Sequence, residues 1–224
     1  MGASKILLPV LIVAIAIFVA TIGPSFLANE SSILMSEQSV NIDGMPFPSD
    51  IKIAGSKQVL CGGGTRSKWG FRVYAVGIYS DLKIVKSLRK KYGNVVDANL
   101  VRDFSESKQA RTLLLRFHRE VATSDMSDAL GDALIDRVGE DASKKFSTFI
   151  LDMVGGDRLK VGSSLYITCK GEKLLASLTE GKATDTISIK GLCSAIFTVY
   201  LGDSPVSPQA KEGFEKGFAD LIVS

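Results

Sequence analysis

The run Val59-Leu60-Cys61-Gly62-Gly63-Gly64-Thr65-Arg66-Ser67-Lys68-Trp69-Gly70-Phe71-Arg72-Val73-Tyr74-Ala75-Val76-Gly77-Ile78-Tyr79 constrains the fold more than any other stretch of the chain. It reads as the end of one strand, a glycine turn carrying an arginine, and a long second strand. Three glycines in succession allow backbone angles closed to other residues, and they let a ligand or another strand come close. Arg66, held at that turn, presents a planar fork of donors suited to a carboxylate or a phenolate-like oxygen. Spacing alone is served as well by a hairpin turn with a solvated arginine. Along the second strand, alternation puts Phe71, Val73, Ala75, Gly77 and Tyr79 on one face and Arg72, Tyr74, Val76 and Ile78 on the other. Trp69 is expected to pack at the turn.

Beyond this stretch, Asp81 caps a helix that runs through Ile84, Val85 and Leu88 and ends at Gly93. Arg111 to Arg119 reads as a strand. Met126, Leu130, Ala133, Leu134 and Val138 recur at helical spacing in one helix opened by Thr123-Ser124-Asp125, and a second helix spans about 143–153. Strand signals follow over 164–169, 174–178 and 183–189, with turns at Lys170-Gly171-Glu172 and Glu180-Gly181-Lys182, as in an antiparallel meander. Two helices close the chain. The first ends at Leu201-Gly202, and the second starts with Pro208 at a favoured first position and turns Phe214, Phe218 and Leu221 inward. This order of elements predicts an α+β domain with helices packed on one face of an antiparallel sheet.

Ile6 to Ile22 is almost wholly apolar behind a single charge at Lys5. That pattern predicts a signal peptide or a membrane-anchoring segment over residues 1–28, a polar linker over 29–45 and a folded domain over 46–224. No arginine precedes Arg66, which counts against an ordinary mitochondrial transit peptide, and Asn29-Glu30-Ser31 is a glycosylation sequon. A formal charge of +3 in 224 residues, without a basic cluster interleaved with aromatics, sets nucleic acid aside. Three cysteines lacking C-x-x-C spacing argue against a zinc site or a disulfide framework, and His118 as the one histidine argues against a His-based triad. Neither metal nor cofactor is expected. Cys61 and Cys193 are expected as small buried apolar residues, and His118 as a structural or solvated histidine.

Two segments together resemble the chalcone isomerase fold family. One is Gly62-Gly63-Gly64-Thr65-Arg66 followed by Val73-Tyr74-Ala75-Val76-Gly77-Ile78-Tyr79. The other is Ala195-Ile196-Phe197-Thr198-Val199-Tyr200-Leu201-Gly202-Asp203-Ser204-Pro205-Val206-Ser207-Pro208-Gln209-Ala210-Lys211. The second is the more specific, because a helix, a Leu-Gly stop and a Val-Ser-Pro restart stand in the family's order. The resemblance covers about residues 46–224. It implies an open-faced β-sandwich: a large antiparallel sheet covered by a layer of helices, with a ligand cleft between them.

The family it resembles holds both isomerases of plant flavonoid synthesis and proteins that bind fatty acids without known turnover. In the isomerases the glycine-turn arginine, here Arg66, holds a deprotonated substrate oxygen near its electrophilic carbon for ring closure. The family's other polar positions fall on Tyr74, Met126, Ala133 and Val199, so Arg66 is a catalytic residue only if the chain is an enzyme. The fatty-acid-binding relatives pair the same arginine with a tyrosine on the next strand to grip a carboxylate. The resemblance thus implies a ligand site of Arg66, Tyr74, Met126 and Val199, with Tyr79, on the opposite strand face, as the fallback partner. Three readings result. The first is capture of a fatty acid or similar amphipathic anion without catalysis. The second is an intramolecular lyase of the chalcone–flavanone isomerase type on an unknown substrate, and the third a membrane-tethered scaffold with a closed cleft. Membrane contact is expected through the N-terminal segment and the secretory lumen is the default compartment. A plastid or mitochondrial membrane stays open, since fold relatives occur in several organelles.

Overall fold

The computed structural model describes residues 38–182 and 185–223. The described part of the chain opens with β1 (Ser39–Ile42), β2 (Met45–Pro48), β3 (Asp50–Ile53), β4 (Ser56–Lys68), β5 (Phe71–Asp81), α1 (Leu82–Tyr92) and α2 (Ala98–Glu106). It continues with β6 (Arg111–Phe117), β7 (Val121–Ala122), α3 (Thr123–Asp132), α4 (Ile135–Val138), α5 (Glu140–Val154) and β8 (Arg158–Leu159). It closes with β9 (Ser164–Lys170), β10 (Lys173–Ser177), β11 (Asp185–Ser188), α6 (Leu192–Leu201) and α7 (Pro208–Val223). The apolar segment 6–22, with its expected targeting or anchoring role, lies outside the described residues. Among those residues no helix is long and apolar enough to cross a membrane.

Seven strands form one antiparallel sheet in the order β11-β10-β9-β6-β5-β4-β3. One face carries Tyr74, Val76 and Ile78 of β5 beside Leu113 and Leu115 of β6, and the helices bury it. Phe104 of α2 ties that layer together, its ring centroid 4.8 Å from Phe214 and 5.9 Å from both Phe197 and Phe218. The expected α+β architecture, an antiparallel sheet under a helical layer, is the one adopted. The other face is not left bare. Ala75, Tyr79, Leu114 and Tyr166 gather there under Phe47 of the β1–β2 hairpin. Phe47 lies so close over the sheet that a Cβ on Gly77 would stand 2.7 Å from its ring. Residues 39–45, expected as linker, therefore already belong to the folded part, as half of a strap across the sheet.

The three glycines of the opening stretch are not a turn. They lie inside β4, and the turn is Trp69-Gly70, whose φ angles of 52° and 81° suit a two-residue hairpin of type I′. The glycines serve helix α7 instead. A Cβ on Gly62 would lie 2.1 Å from the Gly213 carbonyl oxygen, one on Gly64 2.4 Å from the Gln209 backbone, and one on Gly213 1.9 Å from the Gly63 carbonyl oxygen. A helix laid directly on strand backbone needs bare Cα positions on both partners.

Cys193 is not a free apolar residue: it is bonded to Cys169, 24 residues away, which ties the first turn of α6 to β9. Closing a loop of that size contributes roughly 3 kcal/mol on the chain-entropy account. Strand-to-helix pairing has no spacing signature, so the sequence holds no sign of it. Cys61 is the free, buried cysteine. The helix expected from Thr123 to Val138 breaks into α3 and α4 where α5 crosses Gly131. Ser143 Oγ donates to the Gly131 carbonyl at 2.7 Å, and the Leu134 N–H folds back on that same carbonyl at 2.7 Å. Helix α2 fills a stretch left without an element. Its signal was present: Asp97 accepts from the Asn99 and Leu100 N–H groups, both at 2.9 Å, ahead of the apolar Leu100, Val101 and Phe104.

Candidate functional site

Arg66 and Tyr74 are cross-strand partners in the β4–β5 pair. Immediately beyond them the register slips, with Ser67 facing Arg72, so Val73 is the extra residue of a β-bulge. The bulge breaks the expected alternation: Val73 and Tyr74, although adjacent, line one cavity. That cavity has a volume of about 340 Å³, within the roughly 300–1,000 Å³ of small-molecule pockets. Met126, Ala129, Leu130 and Ala133 form one of its walls, at the spacing that puts them on a single helical stripe. Arg66, Tyr74, Val199 and Val206 stand at its more buried end, and Lys68, Trp69, Phe71, Arg119, Glu120, Asp125 and Arg158 at its exposed rim, where Glu120 is paired with Arg158.

The second distinctive segment of the sequence closes onto the first. Arg66 Nη1 donates to the Val206 carbonyl at 2.9 Å, and the Val206 N–H donates to the Val199 carbonyl at 2.9 Å. Ser207 Oγ donates to the Thr65 carbonyl at 2.8 Å and accepts from the Ala210 N–H at 3.2 Å. One serine thus caps α7 and stitches it to the strand beside Arg66. None of the ion pairs among the described residues involves Arg66. Its remaining donors are available to an anion.

Tyr74 and Tyr200 are both buried, with hydroxyl oxygens 2.7 Å apart. Burial pushes both phenols above their ordinary pKa, against the pull of the nearby Arg66 charge. Both therefore stay neutral and keep their protons. In such a pair one hydroxyl donates to the other. When Tyr200 donates to Tyr74, the Tyr74 proton is left for a ligand oxygen on the cavity side. Tyr200 itself lies behind Tyr74 and does not line the cavity.

Of the expected site residues, Arg66, Tyr74, Met126 and Val199 are brought together around the cavity. Tyr79 is not. It sits in the second core, on the far side of the sheet, where its hydroxyl donates to the Pro48 carbonyl at 2.8 Å. Trp69 does not pack at the turn but projects from it. The Cys61 thiol is pushed up by burial, which leaves it protonated and unreactive. Tyr200 went unrecognised in the sequence, although a lone phenol at the end of the apolar run Ala195–Leu201 was a usable signal. Among the described residues no group of three or more His, Cys, Asp or Glu could hold a metal ion.

Comparison with known proteins agrees with this fold. A family model described as chalcone isomerase-like matches residues 39–214. Fatty-acid-binding protein 1 of Arabidopsis thaliana is 25% identical over 216 residues, which cover 88% of this chain and 76% of that protein. The crystal structure of an Arabidopsis thaliana fatty-acid binding protein superposes with a TM-score of 0.68 at 24% identity, over 84% of this chain and 100% of that one. The fold is the same.

Proposed function

Because the chain belongs to the chalcone isomerase-like family, we propose that it captures a fatty acid or a similar amphipathic anion through Arg66, without catalysis. One observation carries this reading: Arg66 stands at the more buried end of a cavity with an apolar wall of Met126, Ala129, Leu130 and Ala133, oriented by Val206 and lacking an acidic partner among the described ion pairs. The similarity to a protein named for fatty-acid binding supports it. A charge-assisted hydrogen bond from Arg66 to a carboxylate contributes about 1.5–3 kcal/mol. The acyl chain supplies most of the affinity, at roughly 0.8 kcal/mol per buried methylene. Where the family resemblance implies polar groups for ring closure, the wall carries Met126, Ala133 and Val199. That wall favours capture over the alternative, an intramolecular lyase.

Native mass spectrometry of the chain purified from cells, beside Arg66→Ala, tests the proposal. A bound fatty acid in the parent and its loss from the folded variant is the expected result, with affinity lowered roughly 10- to 150-fold. A parent that is empty and ignores added oleate overturns it and sends the search to isomerase substrates.

The compartment we infer is the secretory lumen, with residues 1–28 as a targeting or anchoring segment that brings the chain to a membrane. The Cys169–Cys193 disulfide supports an oxidising environment. Alkylation of the denatured chain from cells without reductant is expected to modify Cys61 alone. Modification of all three thiols speaks for a reducing compartment.

A further inference from the structure

We infer that the tip of the β4–β5 hairpin docks on the surface of an anionic phospholipid bilayer, so that the open end of the cavity faces the lipid. Trp69 is 86% exposed and Phe71 63% exposed, and both stand at the cavity rim. Trp69 also holds a φ of 52°, a left-handed conformation that strains a bulky L-residue. Asn, Asp or Gly fills this position of a type I′ turn with less strain. So exposed an indole recovers little of that strain by packing among the described residues.

Cations lie on both aromatic faces. Lys68 Nζ is 4.8 Å from the Trp69 ring centroid, and Arg119 Cζ is 5.6 Å from that of Phe71. Neither Lys68 nor Arg119 forms one of the ion pairs among the described residues. An indole with a polar N–H, a second ring beside it and unpaired cations at the same level match the headgroup zone of a bilayer, where Trp settles and Lys or Arg reaches phosphate. A protein interface matches less well, because its apolar centre is depleted of lysine. Docked this way, an acyl chain could pass from the bilayer between Trp69 and Phe71 towards Arg66 without crossing bulk water. That passage rests on the fatty-acid reading; the docking does not.

Trp69 is the chain's only tryptophan, so tryptophan emission reports this tip and nothing else. The full chain, its cavity first saturated with oleate, is mixed with vesicles of phosphatidylcholine alone or with phosphatidylglycerol, each carrying brominated acyl chains as quenchers. The expected result is a blue shift and quenching on the anionic vesicles. Both are lost on neutral vesicles, in high salt, and in a Lys68→Glu/Arg119→Glu variant of unchanged melting temperature. A chain that sediments with the vesicles while Trp69 stays unquenched overturns the proposal, as does equal quenching on neutral vesicles. Oleate uptake, read separately by native mass spectrometry, keeps a failure of docking distinct from a failure of capture.

Discussion

Tyr74 offers its proton to a ligand in the arrangement where Tyr200, whose hydroxyl lies 2.7 Å away and outside the cavity, donates to it and fixes its orientation. Tyr74→Phe and Tyr200→Phe are each expected to weaken oleate binding by roughly two- to tenfold, the range of a neutral hydrogen bond. The double variant is expected to be no weaker than Tyr74→Phe alone, since Tyr200 acts only through Tyr74. Titration calorimetry on the three variants decides this, and additive losses would reject the relay. Arg111 shows what an arginine looks like when its Nη1 is used to hold a helix end rather than to face a cavity. It is buried against the Phe197 ring, donates to the Phe104 carbonyl at 2.9 Å and to that of Ser105 at the end of α2, and burial pushes its pKa down to about 10. Arg66 was legible from its donor chemistry beside the glycines, and Tyr74 from the family resemblance. The pairing of Tyr200 with Tyr74 was not, because the two stand 126 residues apart in the sequence.

Helix α7 meets β4 through bare backbone, and this contact decides where Arg66 stands, since α7 begins at the serine that holds the Thr65 carbonyl. Gly213→Ala puts a methyl group 1.9 Å from the Gly63 carbonyl oxygen. The expected cost is about 1–3 kcal/mol or more, seen as a melting temperature lower by roughly 2–10 °C, with weaker oleate capture in whatever still folds. Gly156→Ala is the control: nothing lies within 4 Å of its added Cβ, and its stability should stay within about 0.5 kcal/mol of the parent. Equal melting temperatures for the two variants would remove the argument for a backbone seat. From the sequence, the glycine triplet announced a close approach but not what approached, because the complementary Gly213 reads as an ordinary helix residue. Helix α2 hid in a different way, as a short polar stretch in which only Asp97 and three apolar residues mark the element.

On the scale of the molecule, the β1–β2 strap closes the second face of the sheet, and Asp43 holds it there. Its carboxylate accepts from Thr65 Oγ1 at 2.7 Å and from Arg72 Nη1 at 3.0 Å, and the threonine bond foremost keeps it below the usual carboxylate range. His118 Nε2 lies 3.7 Å from the same carboxylate. Burial pushes the imidazole below its ordinary value, and Arg72 adds to this against the pull of Asp43. A base with a depressed pKa is favoured neutral in the fold, so the unfolded chain binds the proton first as pH falls. Stability is then full above about pH 6.5 and declines below it. The urea midpoint is expected to drop between pH 7 and pH 5, and less so in His118→Gln, which removes the chain's only histidine. A parent midpoint that is level across that window contradicts the assignment. The helical layer and the sheet were legible because their periodicities are local and long. The strap was not, because two four-residue strands carrying Pro46 and Pro48 look like linker, and proline is tolerated at such an edge. The site itself joins residues far apart in the chain: Arg66 meets Val206 across 140 positions, and Tyr74 meets Tyr200 across 126. A ribosome adding about 5–20 residues per second needs roughly 6–25 s between making Tyr74 and making Tyr200. Throughout that interval the nascent chain carries Arg66 without Tyr200 or Val206 beside it. On the fatty-acid reading, loading waits until both have been made.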